Sequence, residues 1–272
     1  MAPRTWLITG TSRGFGRAWA EAALARGDRV AGTARDTSAT DDLAATYPSA
    51  FLALKLDVTD RAAVFAAVEQ AHDHFGELDI VVNNAGYGHF GMIEEASERE
   101  ARAQVETNLF GALWVTQAAL PYLRARGAGH IIQVSSIGGI TAFPTLGIYH
   151  ASKWGLEGFS QALAQEVRPF GINVTLIEPG GFSTDWAGAS AELSEPIHAY
   201  DELRADVQRS RATEVKGDPA ASATALHRIV DAEEPPLRCF FGATPLEIAE
   251  ADYASRLETW RAWQPVADLA QG

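Results

Sequence analysis

TWLITGTSRGFG, residues 5–16, decides the fold of this chain. A run of β-formers, Thr5 to Thr9, empties into a string with glycines at 10, 14 and 16, and a helical pattern, GRAWAEAALA, begins where the glycines end. A glycine string means something in that position, between strand and helix. Gly10 permits the sharp turn, Gly14 lets backbone approach a pyrophosphate closely, and Gly16 lets helix and strand pack. The free N–H groups and partial positive charge of the helix N-terminus face the phosphates. Ser12, Arg13 and Phe15 complete the expected cofactor loop.

Six further β-rich runs follow: RVAGTA, FLALKLDV, DIVVNNA, HIIQVSS, INVTLIEP and LRCFF. Longer helical stretches separate them, and several are apolar at consecutive positions, as strands buried on both faces must be. The pattern predicts a Rossmann-type, doubly wound α/β fold: a seven-stranded, mostly parallel sheet with helices on both faces. No linker or solenoid repeat divides the sequence, so residues 1–272 read as one nucleotide-binding domain. Two stretches stand apart. Residues 183–219 carry a mixed polar pattern beside the sheet's ligand end, and read equally as a substrate lid or a solvated helical excursion. A helical tail from about residue 243 carries Trp260 and Trp263, expected to pack on the body of the protein or on a neighbouring subunit.

Composition excludes several function classes. The 22 Lys and Arg stand against 35 Asp and Glu, a net charge of −13, which repels nucleic acid and anionic membranes. Cys239 is the only cysteine, so no internal disulfide forms and a reducing compartment is expected. No run approaches the roughly 20 apolar residues of a membrane span, and MAPRTWLITG lacks the layout of a signal peptide. The expectation is a cytoplasmic protein. The seven histidines show no metal-ligand spacing, so no metal is expected.

The chemistry is expected from Ser136, Tyr149 and Lys153. Hydride transfer to a carbonyl leaves negative charge on oxygen that must be protonated as it forms. A tyrosine with an unperturbed pKa of about 10 is a poor base, and a neighbouring ammonium favours its phenolate. Lys153 follows Tyr149 by four residues, so both share one helix face. Ser136 ends the strand HIIQVSS, where ligands of open α/β sheets bind, and Ser135 should point elsewhere.

The TGxxxGxG of residues 9–16, the NNAG of 83–86, Ser136 thirteen residues before the YxxxK of 149–153, and the PG of 179–180 closely resemble the short-chain dehydrogenase/reductase superfamily, in its compact branch. NNAGYGHFG and IEPGGFSTD are similar to the subgroup that includes 17β-hydroxysteroid and retinol dehydrogenases. The resemblance implies a catalytic set of Ser136, Tyr149, Lys153 and Asn108, the last holding a water against the lysine through its backbone. It implies that Asp57 meets the adenine amino group with Val58 against the ring. Asn83, Asn84, Ala85 and Gly86 line the nucleotide and brace the sheet. Pro179, Gly180, Phe182 and Thr184 lie at the nicotinamide, and Tyr149 and Lys153 also touch the cofactor.

In the family register the position that carries a carboxylate in NAD enzymes is Ala34, followed by Arg35, with Arg13 in the glycine loop beside it. Two arginines can share a 2′-phosphate, so NADP(H) is favoured over NAD(H). Asp36 could instead turn inward and pair with Arg35. Substrate contacts are expected from His89, Phe143, His150 and Trp186, with Tyr87, Phe90, Thr141, Leu146 and Phe182 also near an apolar pocket suited to a bulky secondary alcohol or ketone. The helices 149–170 and 105–123 are apolar over too wide an arc to face only their own sheet, which points to a homodimer or homotetramer with Trp114 and Trp154 near the contact. Two other readings stay open: an isomerase or dehydratase on this fold, and a nucleotide-sensing regulator without turnover. The first lacks its TGxxGxxG turn here; the second is at odds with an intact Tyr/Lys pair.

Overall fold

The computed structural model describes residues 3–184, 186, 188, 190–213 and 215–271. Strands β1 (Thr5–Thr9), β2 (Arg29–Ala34) and β3 (Phe51–Lys55) alternate with helices α1 (Gly14–Ala25), α2 (Asp41–Thr46) and α3 (Arg61–Phe75). There follow β4 (Ile80–Asn83), the two-residue β5 (His89–Phe90), α4 (Glu98–Val105), α5 (Gly111–Arg126), β6 (Gly129–Val134), α6 (Gly147–Val167) and β7 (Ile172–Pro179). The chain ends with the short β8 (Glu192–Leu193), α7 (Asp201–Ala212), α8 (Pro219–Val230), β9 (Arg238–Phe241) and α9 (Pro245–Leu269).

Seven strands form one sheet in the order β3-β2-β1-β4-β6-β7-β9, with every pairing parallel. The order reverses direction between β1 and β4, and at such a switch the strands' carboxyl ends are where open α/β sheets take ligands. Apolar residues on the two faces of each strand feed two separate cores. Leu7, Val81 and Ile131 pack under α3, α5 and α6; Trp6, Ile8, Val82 and Ile132 pack under α1 and α8.

Two helices differ from the sequence reading. The helix expected over 105–123 is two helices, α4 and α5, joined by a π-turn at Glu106–Phe110 that carries Asn108. Gly111 permits this course, because a Cβ there would stand 2.7 Å from the Val58 side chain. The helix expected over 149–170 begins at Gly147 and ends at Val167, since Pro169 has no N–H to continue it and Gly171 turns the chain with φ +70°.

The segment 183–219 is neither a plain loop nor a free helix. Its β8 pairs with β5, and α7 rises from a tight turn at His198–Tyr200. Side-chain anchors reinforce the pairing. Arg204 Nη2 donates to the buried Glu95 carboxylate at 2.6 Å, the Ile197 N–H donates to the same group at 2.8 Å, and the Tyr200 hydroxyl donates to Glu94 at 2.6 Å. The arginine holds the Glu95 carboxyl down at about 2.

Of the two packings expected for the tail tryptophans, on the body of the chain or on a neighbouring subunit, the chain does not show the first. Trp260 and Trp263 are 57% and 63% exposed, on the half of α9 that leaves the body of the chain. Only the earlier turns of α9 touch it: Arg256 stacks over the Trp154 ring at 4.7 Å and reaches the Ile140 carbonyl. Among the described residues no helix is long and apolar enough to cross a membrane.

Candidate active site

The glycine loop is built for a close-approaching ligand. Gly10 and Gly14 hold φ +73° and +61°, which side-chain-bearing residues rarely adopt. A Cβ on Gly16 would overlap the Gly10 carbonyl oxygen and the Asn84 amide, so helix α1 starts hard against the turn. Thr184 faces the same loop, 3.8 Å from where a Gly14 Cβ would stand, and Phe182 packs edge-on to Phe15 with centroids 4.9 Å apart. Exposed backbone at Gly14, without a Cβ to fill the space, fits a pyrophosphate at the N-terminus of α1.

The two asparagines of NNAG serve this loop indirectly. Asn84 Nδ2 donates to the carbonyls of Thr9 and Gly10 at 2.8 and 3.0 Å, so its side chain braces the turn. Asn83 points the other way and donates to Thr116 at 3.0 Å. Gly86 leaves room for Asn108, whose Oδ1 would lie 2.9 Å from a Cβ there. Asp57 accepts from the N–H and hydroxyl of Thr59 through Oδ1, while Val58 is buried beside it.

At the end of β2, Ala34 is buried and Arg35 is exposed, as is Arg13. Asp36 does not pair with Arg35. Its carboxylate accepts the Ser38 N–H at 3.0 Å and caps the following turn, which together with the Ser38 side chain holds it below the usual carboxylate range. Lys55, next in register, is also within electrostatic reach of Asp36.

Ser136, Tyr149 and Lys153 converge at the carboxyl end of β6. Ser136 has extended backbone and accepts the Gly138 N–H at 3.0 Å, and its hydroxyl is near enough to the Tyr149 phenol to act on it. Burial pushes that phenol up to about 12, the serine contact opposing it. Lys153 is buried with Nζ donating to the Val134 carbonyl at 2.7 Å and lies 5.8 Å from the Tyr149 ring centre. Burial takes the lysine down to about 8, opposed by the charge of Glu157. Burial of both groups thus works against the phenolate that a neighbouring positive charge favours.

Asn108 sits in the π-turn. Its side chain is engaged with the Tyr87 backbone, accepting at 3.1 Å and donating at 3.0 Å, and it donates to the Ser152 hydroxyl at 3.2 Å. The Ser152 hydroxyl in turn donates to the Tyr149 carbonyl at 2.6 Å, tying the π-turn to the helix of the phenol. π-Turns are frequent at functional sites because they expose backbone groups that an α-helix would use up.

The expected substrate residues divide. Trp186 lies 4.9 Å from Tyr149 and 5.1 Å from Phe90, ring centre to ring centre, and so stands beside the phenol. Phe143 is exposed 5.7 Å from His150. His150 itself is consumed by structure: Nε2 accepts the Phe143 N–H at 2.9 Å and Nδ1 meets the Gly138 carbonyl at 2.8 Å. His89 is likewise buried, 2.9 Å from the Ser194 hydroxyl, and closes β5 onto β8. Burial lowers the pKa of both rings. Thr141 and Leu146 are buried under the same rim. Arg211, which the sequence pattern did not single out, reaches in from α7, over the Phe90 ring at 4.8 Å and to the Thr145 hydroxyl at 3.2 Å. Among the described residues no cluster of three His, Cys, Asp or Glu side chains could hold a metal.

A parallel sheet with its switch point between β1 and β4, a glycine cradle and Ser136 beside buried Tyr149 and Lys153 define a nucleotide-binding oxidoreductase architecture. The short chain dehydrogenase family profile matches residues 4–194, and the chain belongs to that family. The oxidoreductase BOA17 of Botryotinia fuckeliana is 42% identical over 90% of this chain and 91% of its own. A 3-ketodihydrosphingosine reductase of Bacteroides thetaiotaomicron is 37% identical over 89% of each chain. The crystal structure of a short-chain dehydrogenase from Streptomyces avermitilis superposes with a TM-score of 0.93 at 40% identity, covering 99% of this chain and 98% of that one. A short chain dehydrogenase/reductase from Burkholderia phymatum, solved in complex with NAD, superposes at 0.79 with 25% identity over 91% and 92% of the two chains. The protein is an oxidoreductase of this family.

Proposed function

We propose that the chain is an NADP(H)-dependent reductase or dehydrogenase that interconverts a secondary alcohol and a ketone on a bulky, largely apolar substrate. One observation carries the reading: the Ser136 hydroxyl and the Tyr149 phenol stand together beside a glycine cradle, with Lys153 buried one helical turn beyond. The bound nicotinamide supplies or accepts the hydride. Tyr149 holds its proton throughout the neutral range, because burial keeps the phenol near 12, and this is the form that can donate to a carbonyl oxygen as negative charge develops on it. Ser136 donates a hydrogen bond to the same oxygen and fixes its place. Lys153 stabilises the phenolate left after transfer, and the Asn108 π-turn offers backbone for a water that leads the proton to solvent.

Cofactor choice follows from the end of β2. Ala34 offers no carboxylate to a ribose 2′-hydroxyl, Asp36 is committed to its cap, and Arg35, Arg13 and Lys55 give the rim positive charge suited to a 2′-phosphate. For the substrate, the aromatic wall of Trp186, Phe90 and Phe143 favours an apolar body, and the similar 3-ketodihydrosphingosine reductase acts, by its name, on such a ketone. The segment 183–219 is read as the lid over this wall. Replacing Tyr149 with Phe removes the transferable proton and keeps the ring's packing. With NADPH and a panel of ketones, turnover should fall by about 10²- to 10⁴-fold, while nucleotide binding persists. Near-normal turnover in the folded variant would refute the assignment.

A further inference from the structure

Behind Lys153, on the side away from Tyr149, lies a second buried polar group that the reaction outlined above does not use. Helix α6 carries Tyr149, Lys153 and Glu157 at successive four-residue steps, so all three share one face. Glu157 is 5% exposed and Glu178, on β7, is fully buried. Arg238, on β9, bridges the two carboxyls, at 2.9 Å from Glu157 and 3.4 Å from Glu178, and also donates to Gln161. Gly139 admits the pair: a Cβ there would lie 2.6 Å from the Ser135 hydroxyl and 3.0 Å from the Glu157 side chain. Glu157 Oε1, both oxygens of Glu178 and the hydroxyls of Ser135 and Ser160 are buried with no hydrogen-bond partner.

Two carboxyls in one dry space with a single, partly exposed arginine cannot both stay ionised. Burial first, and the Glu157 charge second, drive the Glu178 carboxyl upward, against the pull of Arg238. The proton therefore rests on Glu178 and the charge on Glu157, one turn from Lys153. We propose that Glu157, with its charge localised by protonated Glu178, is a positioning residue that keeps the Tyr149–Lys153 pair in its cationic, proton-loaded form. The other titratable groups packed on this cluster are Arg238 and the Cys239 thiol of β9; burial raises the latter, so it adds no charge in the neutral range. The inference rests on the proposed role of Tyr149 and Lys153.

The sign follows from the pair's charge. Losing one proton takes Tyr149 and Lys153 together from +1 to 0, whichever of them releases it, and the anion at Glu157 favours the charged state. Glu157→Gln keeps the volume and removes that anion. The apparent pKa of the alkaline limb of kcat for ketone reduction, which needs the proton-loaded pair, should move down by roughly 0.5–1.5 units, the range expected for one charge about a helical turn away in a partly screened site. Glu157→Asp, which keeps the charge, should restore the limb toward its original position; simple loss of packing would lower turnover in both variants without moving it. If Glu157→Gln does not fold, as judged by near-UV circular dichroism, Glu178→Gln replaces it. That variant removes the second negative charge Glu178 acquires on the alkaline side, and should move the limb in the same direction. An unmoved limb in a folded variant overturns the inference. Failure of the underlying reading is seen separately, as full turnover in Tyr149→Phe.

Discussion

Gly16→Ala tests the cofactor site through a single methyl group. The added Cβ would overlap the Gly10 carbonyl oxygen and the Asn84 amide and would sit 3.0 Å from the Gly10 carbonyl carbon, where ordinary carbon contacts begin at about 3.5 Å. Neither neighbour can retreat cheaply. Gly10 is held by its N–H to the Thr33 carbonyl at 3.0 Å, and Asn84 by its N–H to the Thr9 hydroxyl at 3.0 Å and its amide to the Thr9 and Gly10 carbonyls. The displacement must pass into the first turn of α1 and the loop before it, which present the N–H groups expected to meet the pyrophosphate. Overpacking of this kind costs about 1–3 kcal/mol. Unliganded protein can let the loop drift, so most of the cost should appear on binding, as a nucleotide Kd weakened by roughly 5- to 150-fold. Isothermal titration with NADPH, alongside a thermal melt, measures both parts. A Kd within about twofold of the original, with an unchanged melt, would show that the loop neither packs nor binds as described.

Arg35→Ala should weaken NADPH far more than NADH, because only the former has a 2′-phosphate to lose a partner; equal losses by titration, or an unmodified protein that prefers NADH, would overturn the NADP(H) reading. Glu95→Gln should loosen 197–204, seen as faster hydrogen exchange there. The Glu95 carboxyl sits at about 2 in the folded protein, below its unfolded value, so its contribution is present above the unfolded range and is lost as pH falls toward 2; the gap between Glu95→Gln and the unmodified protein should close over that window, and a gap independent of pH would refute the anchor. Trp154 is 39% exposed beside half-buried Phe159 on α6, and both are proposed to lie in a two-fold contact between chains. Phe159→Glu should then lower the mass measured by light scattering toward that of one chain, and an unmodified protein that is already monomeric at micromolar concentration would defeat the assembly.

The sequence by itself determined the sheet and the positions of the reacting groups, since both rest on local spacing. Consecutive apolar residues mark strands buried on two faces, glycines between strand and helix mark the cradle, and a four-residue step places Tyr149 and Lys153 on one helix face. What spacing cannot carry is which atom each polar side chain meets. In the sequence His150 and His89 read either as substrate contacts or as histidines hydrogen-bonded for structure, and only the folded chain brings the Phe143 N–H and the Ser194 hydroxyl to their rings. Asn84 was expected at the nucleotide, and the fold turns its amide onto the glycine loop. The π-turn around Asn108 has no local signature, because it arises from helices α4 and α5 meeting around Val58 and the Tyr87 backbone. Charge was the least legible. Glu157 and Glu178 are 21 residues apart in ordinary helix and strand contexts, and only the packing of α6 on β7 removes the water between them and leaves one proton to share. Long-range burial sets the dielectric around a group, and burial belongs to the tertiary structure.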